Sequence, residues 1–189
     1  RAAAAVFERV TAEVRASRRR GAVSTPPEWR TRFDEPRFYP PHVYRELVAL
    51  RVAIDEIAPE APGPNAAWLR DALLLVLSSI VVKFSQRRSD TDERAVERAV
   101  PRGAPTRLYG DRATELLQRL AAFADAVPRG TPDPIVHRGD ARRLTQVASG
   151  SIDLVITSPP YLGTYDYAAH HARRFGWIGL DPRPMLATE

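Results

Sequence analysis

The sequence predicts an α/β chain in two parts: a helical region over residues 1–128, then the opening of an α/β unit over 129–189. Three observations carry this. Apolar residues recur at helical spacing through most of the first part. The linker "PRGTPDP" marks a change of texture. Beyond it, "SIDLVITSPPY" is an almost continuous apolar run closed by two prolines, as expected of a parallel strand covered on both faces.

The elements follow in order. Arg1 to Arg20 reads as a helix, with Val6, Val10 and Val14 four residues apart and Arg18, Arg19 and Arg20 at the end that favours positive charge. From Gly21 to Pro41, three proline clusters argue against a regular helix, and Trp29, Phe33, Phe38 and Tyr39 predict a connector that packs on something. A second helix runs from Pro41 to about Ala58, with Pro41 in the first turn and Val43, Leu47, Leu50 and Ile54 as one stripe. The third, about Ala66 to Arg88, is apolar on nearly every face between Ala72 and Val82, the pattern of a helix at the centre of an assembly. "SDTDERAVERAV" reads as a further short helix capped by Ser89, Asp90 or Thr91. "PRGAPTRLYG" reads as a loop, and Asp111 to Val127 as an amphipathic helix. In the second part, "IVHRGDARRL" reads as a short strand and a turn, and "HHARRFGWIGL" as a helix.

With 189 residues and 44% hydrophobic content, the chain can bury the core of one domain, or of one domain with a helical attachment. It has no cysteine, which excludes disulfides and thiolate metal sites and fits a reducing cytoplasm. The start "RAAAAVFERV" lacks the layout of a secretory leader, and the longest apolar run, Ala72 to Val82, is too short to span a bilayer. The formal net charge is +5, and of 28 basic residues only Lys83 is lysine. Arginine suits bidentate contact with phosphate and guanine, so a polyanion is a fitting partner. The 23 acidic residues and the GC-rich codons of arginine and alanine leave an ordinary surface equally open. The chain is expected to be a piece of a longer protein, since it opens at Arg1 inside a helical pattern and closes on "PRPMLATE".

The chemistry concentrates at the two prolines. Ser158 and Pro159 each precede a proline, which pushes both towards extended backbone. Pro159 and Pro160 have fixed φ and no N–H, so the loop is expected to be stiff and its carbonyls need partners from elsewhere. At the carboxyl end of a parallel strand, such a loop stands where open α/β sheets bind ligands. The Ser158 hydroxyl, the Pro159 carbonyl and the Tyr161 ring together suit a flat heterocycle bearing an exocyclic amine: two acceptors for two N–H protons, and a face to stack on.

"TSPPY" at Thr157 to Tyr161, preceded by "IDLVI", resembles the catalytic motif of the DNA amino-methyltransferases, in which Asp, Asn or Ser precedes Pro-Pro-Tyr or Pro-Pro-Phe. The resemblance implies a Rossmann-like methyltransferase unit using S-adenosylmethionine (SAM). It also implies double-stranded DNA with one flipped base as partner, and a cognate restriction or defence nuclease. The serine form is typical of the cytosine-N4 subgroup, so cytosine N4 is preferred over adenine N6. Ser158, Pro159, Pro160 and Tyr161 would be the catalytic set. Asp140, in "GDAR", would contact the cofactor, and an ordinary Gly-Asp turn is the alternative. Tyr165 and Tyr167 would line the base or DNA channel, with core or interface positions as the alternative. The stretch "LSSIVVKFSQRRSDT" is similar, more loosely, to a long helical insertion in some bacterial enzymes of this type. The family's Phe-x-Gly-x-Gly cofactor loop is absent: ten glycines include no Gly-x-Gly pair. In the family, which is circularly permuted, that loop precedes or follows the Pro-Pro-Tyr motif; on the layout with the helical insertion it would lie upstream of Arg1.

Other readings stay open. A polyproline turn is the alternative for Ser158 to Tyr161. An RNA or protein-glutamine methyltransferase usually carries Asn at the Ser158 position, and a non-catalytic helical nucleic-acid-binding or scaffold protein would use the basic surface alone. "SQRRSDT" (Ser85 to Thr91), beside Lys83, reads as a helix end with a cap or as a DNA-backbone contact. His170 and His171 point apart on a helix, and His42 and His137 stand alone, so no zinc site is expected. Arg173 and Arg174 read as solvated or as phosphate contacts.

Overall fold

Val43, Leu47, Leu50 and Ile54 become the buried face of a helix, as their spacing predicts. In a computed structural model of the chain, the structure describes residues 8–9, 12, 15–16, 38–57, 66–87, 94–137, 139–140, 142–158 and 166–181. Helix α1 is Pro41–Ile57, and those four side chains are fully buried in it. Pro41 costs the helix nothing at its first turn, where its missing N–H has no acceptor, and Tyr44 N–H donates to Pro40 O at 3.0 Å. Of the helix expected over residues 1–20, the described residues 8, 9, 12, 15 and 16 are helical; the others lie outside the description.

Helix α2, Ala66–Val81, packs against all the other described helices. Leu69, Leu73, Leu74, Val76, Leu77, Ile80 and Val81 are buried, but Trp68 and Leu75 are exposed. An apolar sequence on every face therefore corresponds to a central helix with one outer face. The helix also stops before Arg88. The Ser85 hydroxyl donates to Val82 O (2.9 Å) and accepts from Arg87 N–H (3.4 Å), competing with helix continuation.

The short helix expected in "SDTDERAVERAV" is not formed over its described part. Residues 94–100 run as a strap whose Ala95 bridges Arg87 in antiparallel fashion. Val96 N–H donates to Gln86 O at 2.6 Å, and His42 Nε2 lies 2.7 Å from Val100 O. Here tertiary hydrogen bonds override local helix propensity.

Helix α3, Ala104–Ala126, begins inside the stretch read as a loop. Gly103 takes the left-handed conformation (φ 83°) and no neighbouring side chain caps the helix. The cap comes from α1 instead. The buried Glu46 carboxylate accepts from Gly103 N–H (2.7 Å) and from the Thr106 hydroxyl (3.0 Å). A distant carboxylate thus satisfies donors at a helix start and complements its dipole.

Helix α4, Tyr167–Ile178, is capped by Asp166, whose Oδ1 accepts from Ala169 N–H at 2.7 Å. Gly179 (φ 75°) closes it, with Leu180 N–H donating to Phe175 O at 3.0 Å. Trp177 is buried edge-on against Tyr39 and Tyr44, with ring centroids 5.9 Å apart in both pairs. Arg51, buried in α1, donates to Trp177 O and to Asp55 (3.0 Å), and Arg70 of α2 reaches the same carboxylate at 2.6 Å. These bonds tie α1, α2 and α4 together. α4, from the second part of the sequence, thus packs in the helical core.

Between α3 and α4 the described residues form neither helix nor strand. Among the described residues the run Ile152 to Ile156 has no sheet partner, and Ile152, Leu154, Val155 and Ile156 are exposed. A strand satisfies its backbone only beside neighbours, and among the described residues no second strand stands there. The sheet that the α/β reading requires is not built within them. No described helix is long and apolar enough to cross a membrane.

Candidate functional site

The candidate residues fall between an exposed run and a firmly packed helix. Ser158 ends the described run 142–158 and is exposed. Description resumes at Asp166, the cap of α4. Pro159, Pro160, Tyr161 and Tyr165 lie outside the described residues. Tyr167 opens α4, and its side chain lies outside the description as well. Trp177 and the Arg51 bond fix α4 to the core.

Asp140 faces Arg142. The pair is bidentate, with Nε 3.0 Å from Oδ1 and Nη2 2.7 Å from Oδ2, and Arg142 N–H adds a bond to Oδ1 at 2.9 Å. The Arg142 guanidinium hydrogen bonds, with help from its backbone N–H, hold the Asp140 carboxyl at about 2. Both residues are exposed. A cofactor's adenine and ribose need acceptors that are available and enclosed, and this carboxylate is neither. No hydrogen bond or ion pair joins Asp140 to Ser158 among the described residues. With no paired glycines in the sequence, the described residues do not form a cradle for SAM.

Several side chains that read as solvated or as DNA contacts are structural. Arg173 is buried, with its guanidinium 5.8 Å from the Phe38 ring centre, and Arg87 is buried on the same ring at 3.4 Å. Arg174 Nη1 lies 2.8 Å from His171 Nδ1. Ser85 is fully buried in the turn after α2, and Gln86 N–H donates to Phe38 O at 2.6 Å. "SQR" is thus a three-way junction between α2, the strap and the chain entering α1; Arg88 to Thr91 lie outside the description. Among the described residues, no three His, Cys, Asp or Glu side chains gather as metal ligands.

One feature carried no sequence signal beyond the charges around Lys83. A cleft of about 670 Å³ opens where α1 begins, lined by His42, Gln86, Glu97, Arg98, Val100 and their neighbours. Its walls come from segments far apart in sequence, so spacing alone does not show it.

No family model, no curated protein and no solved structure matches the chain.

Proposed function

We propose that the chain is the base-holding part of a SAM-dependent DNA methyltransferase that modifies an exocyclic amine, cytosine N4 in preference to adenine N6. One observation carries the reading: "IDLVITSPPY" is an apolar strand sequence ending in a stiff loop that offers a hydroxyl, a carbonyl and an aromatic ring. Proline-rich ligand motifs lie in polar tracts, and this one follows an apolar run. The exposed Ser158 is consistent with a hydroxyl that meets a ligand. In this role Ser158 and Pro159 orient the amino group and Tyr161 stacks on the base; SAM supplies the methyl group. The described residues do not cradle that cofactor. Cytoplasmic location and a partner nuclease belong to the same proposal.

The test is Ser158→Ala in the complete protein, assayed by transfer of labelled methyl groups to duplex DNA. A fall of about a hundredfold or more is expected for a group that positions the reacting atom. Methylation at the unaltered rate overturns the assignment. A second reading, a helical nucleic-acid-binding or scaffold protein without catalysis, draws on the helical core, which packs without help from residues 129–158. It predicts DNA binding that is indifferent to Ser158→Ala and no methyl transfer by the complete protein.

A further inference from the structure

We propose that the outer seam between α2 and α3 is a two-fold interface that takes a second copy of this chain. Two stripes build it. Trp68, Ala72 and Leu75 stand at i, i+4 and i+7 on α2, and Leu116, Leu120 and Phe123 at the same spacing on α3. Trp68, Leu75 and Phe123 are 56%, 64% and 69% exposed. Between the helices lies a hollow with Leu73, Val76 and Ala113 at its floor and Trp68, Ala72 and Leu120 in its walls. Every residue lining it is apolar. It measures about 20 Å³, room for the edge of one ring and too little for a free ligand. The α3 stripe outruns the core. α3 is 23 residues long, but its buried residues, Pro105, Thr106, Tyr109 and Ala113, all lie in its first half. Residues 114–126 carry the stripe on for about 20 Å.

The occupant follows from self-complementarity. Phe123 does not line the hollow; it projects from the turn of α3 beyond Leu120. One face thus carries both a knob and a hollow, which is what a two-fold contact requires. With the axis crossing this face, each copy's Phe123 enters the hollow of the other. The rims agree in sign. At the edge of the α3 stripe, Arg112 and Arg119 share one acid, Glu115, at 2.8 and 2.7 Å, which leaves one positive charge in excess. At the edge of the α2 stripe stands the exposed Asp71, 3.9 Å from Arg70 Nη1. Arg70 itself is held by Asp55 at 2.6 Å. By their spacing, Arg107, Asp111 and Asp125 project from the opposite side of α3. Laying α3 of one copy over α2 of the other brings a positive edge to a negative one. The stripes and their half-buried neighbours expose roughly 500 Å² of apolar surface, more than scattered side chains present. With the charged rim, the face approaches the ~800 Å² per partner that a stable contact buries. Nothing in this contact depends on methyl transfer.

The test is sedimentation equilibrium of the 189-residue chain from about 1 to 100 µM, where a monomer–dimer equilibrium is expected. Phe123→Glu should raise the dissociation constant at least about thirtyfold, and Leu75→Glu at least about tenfold. Both positions are exposed, so circular dichroism should show unchanged helix content; if one variant loses helix, the other decides. Val155→Glu, on the exposed run 152–156, should stay within about threefold. Because the chain has no cysteine, placement is read by mixing Ala72→Cys chains with tagged Ala124→Cys chains and adding a short bismaleimide. Ala124 is exposed next to Phe123, so covalent dimers with one chain of each kind are expected. Ala124→Cys mixed with Val155→Cys should give none. A chain that stays monomeric at about 100 µM overturns the proposal. So does a dimer that Val155→Glu breaks and Phe123→Glu does not, because the contact would then run through residues 152–156. A dimer without the mixed Ala72–Ala124 cross-link overturns it as well, since Phe123 would then lie away from the hollow.

Discussion

Two apolar stretches of this chain meet opposite ends. Val43, Leu47, Leu50 and Ile54 in α1 are 0% exposed, whereas Ile152, Leu154, Val155 and Ile156 are between 56% and 89% exposed. Their chemistry is nearly the same, so hydrophobicity is not what separates them. The backbone is. A helix closes its hydrogen bonds within its own segment and then needs only a facing surface. A strand needs neighbours on both sides before its side chains can be covered. The first stretch found α2 and α3; the second has no strand beside it among the described residues.

The comparison breaks most sharply at Leu50. Leu50→Ala should destabilise the fold by about 3 kcal/mol, since it removes a fully buried side chain and leaves a cavity. Val155→Ala should change stability by less than about 0.5 kcal/mol, because it removes contacts from an exposed position. Both are read from urea unfolding followed by circular dichroism. Equal costs at the two sites would mean that residues 152–156 are covered in solution and that the contrast is false.

The next effect in size is at Glu46. Glu46→Ala should cost about 2 kcal/mol, because Gly103 N–H and the Thr106 hydroxyl lose a buried charged acceptor. Glu46→Gln keeps one acceptor oxygen and should cost less. An unchanged midpoint in Glu46→Ala would show that α3 is capped by other means. Hydrogen exchange sharpens the same contrast along the backbone. Amides of α1 and α2 should be protected to near the global unfolding limit, and those of 142–158 should exchange at close to the free-chain rate. Protection across 152–156 would reveal pairing.

These differences mark what the sequence shows. The α1 stripe was legible because each of its residues faces the core at a period the helix itself imposes. The centrality of α2 was legible too, though not its exposed side at Trp68 and Leu75. The α3 start was not, because its cap, Glu46, lies 57 residues upstream of Gly103. The strap was misread as a helix for the same reason: its partners at Gln86 and Val100's neighbour His42 are tertiary. At the candidate site, the stiff Ser158 to Tyr161 loop is legible as covalent chemistry, since proline fixes φ wherever it occurs. The pairing of Asp140 with Arg142 was hidden, although "GDAR" sets the two only two residues apart.

That pair gives the smallest effect, and it tests the exposed region on its own terms. Asp140 titrates at about 2 rather than 3.8, chiefly through the Arg142 hydrogen bonds. A carboxyl whose folded value is depressed stabilises the structure fully above its ordinary value and loses that contribution as pH falls through the lower one. The pair should therefore be intact down to about pH 3.8 and break as pH falls through about 2. Being exposed, it should scarcely move the unfolding midpoint at neutral pH. Carbon-13 NMR of the Asp140 carboxyl reads the titration directly, and Arg142→Ala should raise it towards the ordinary range, leaving only the backbone N–H bond to hold it down. A midpoint already in that range in the unaltered chain would mean that the pair does not hold in solution. Asp140 would then be available to another donor, and the cofactor role that its present partner opposes would regain its chemical basis.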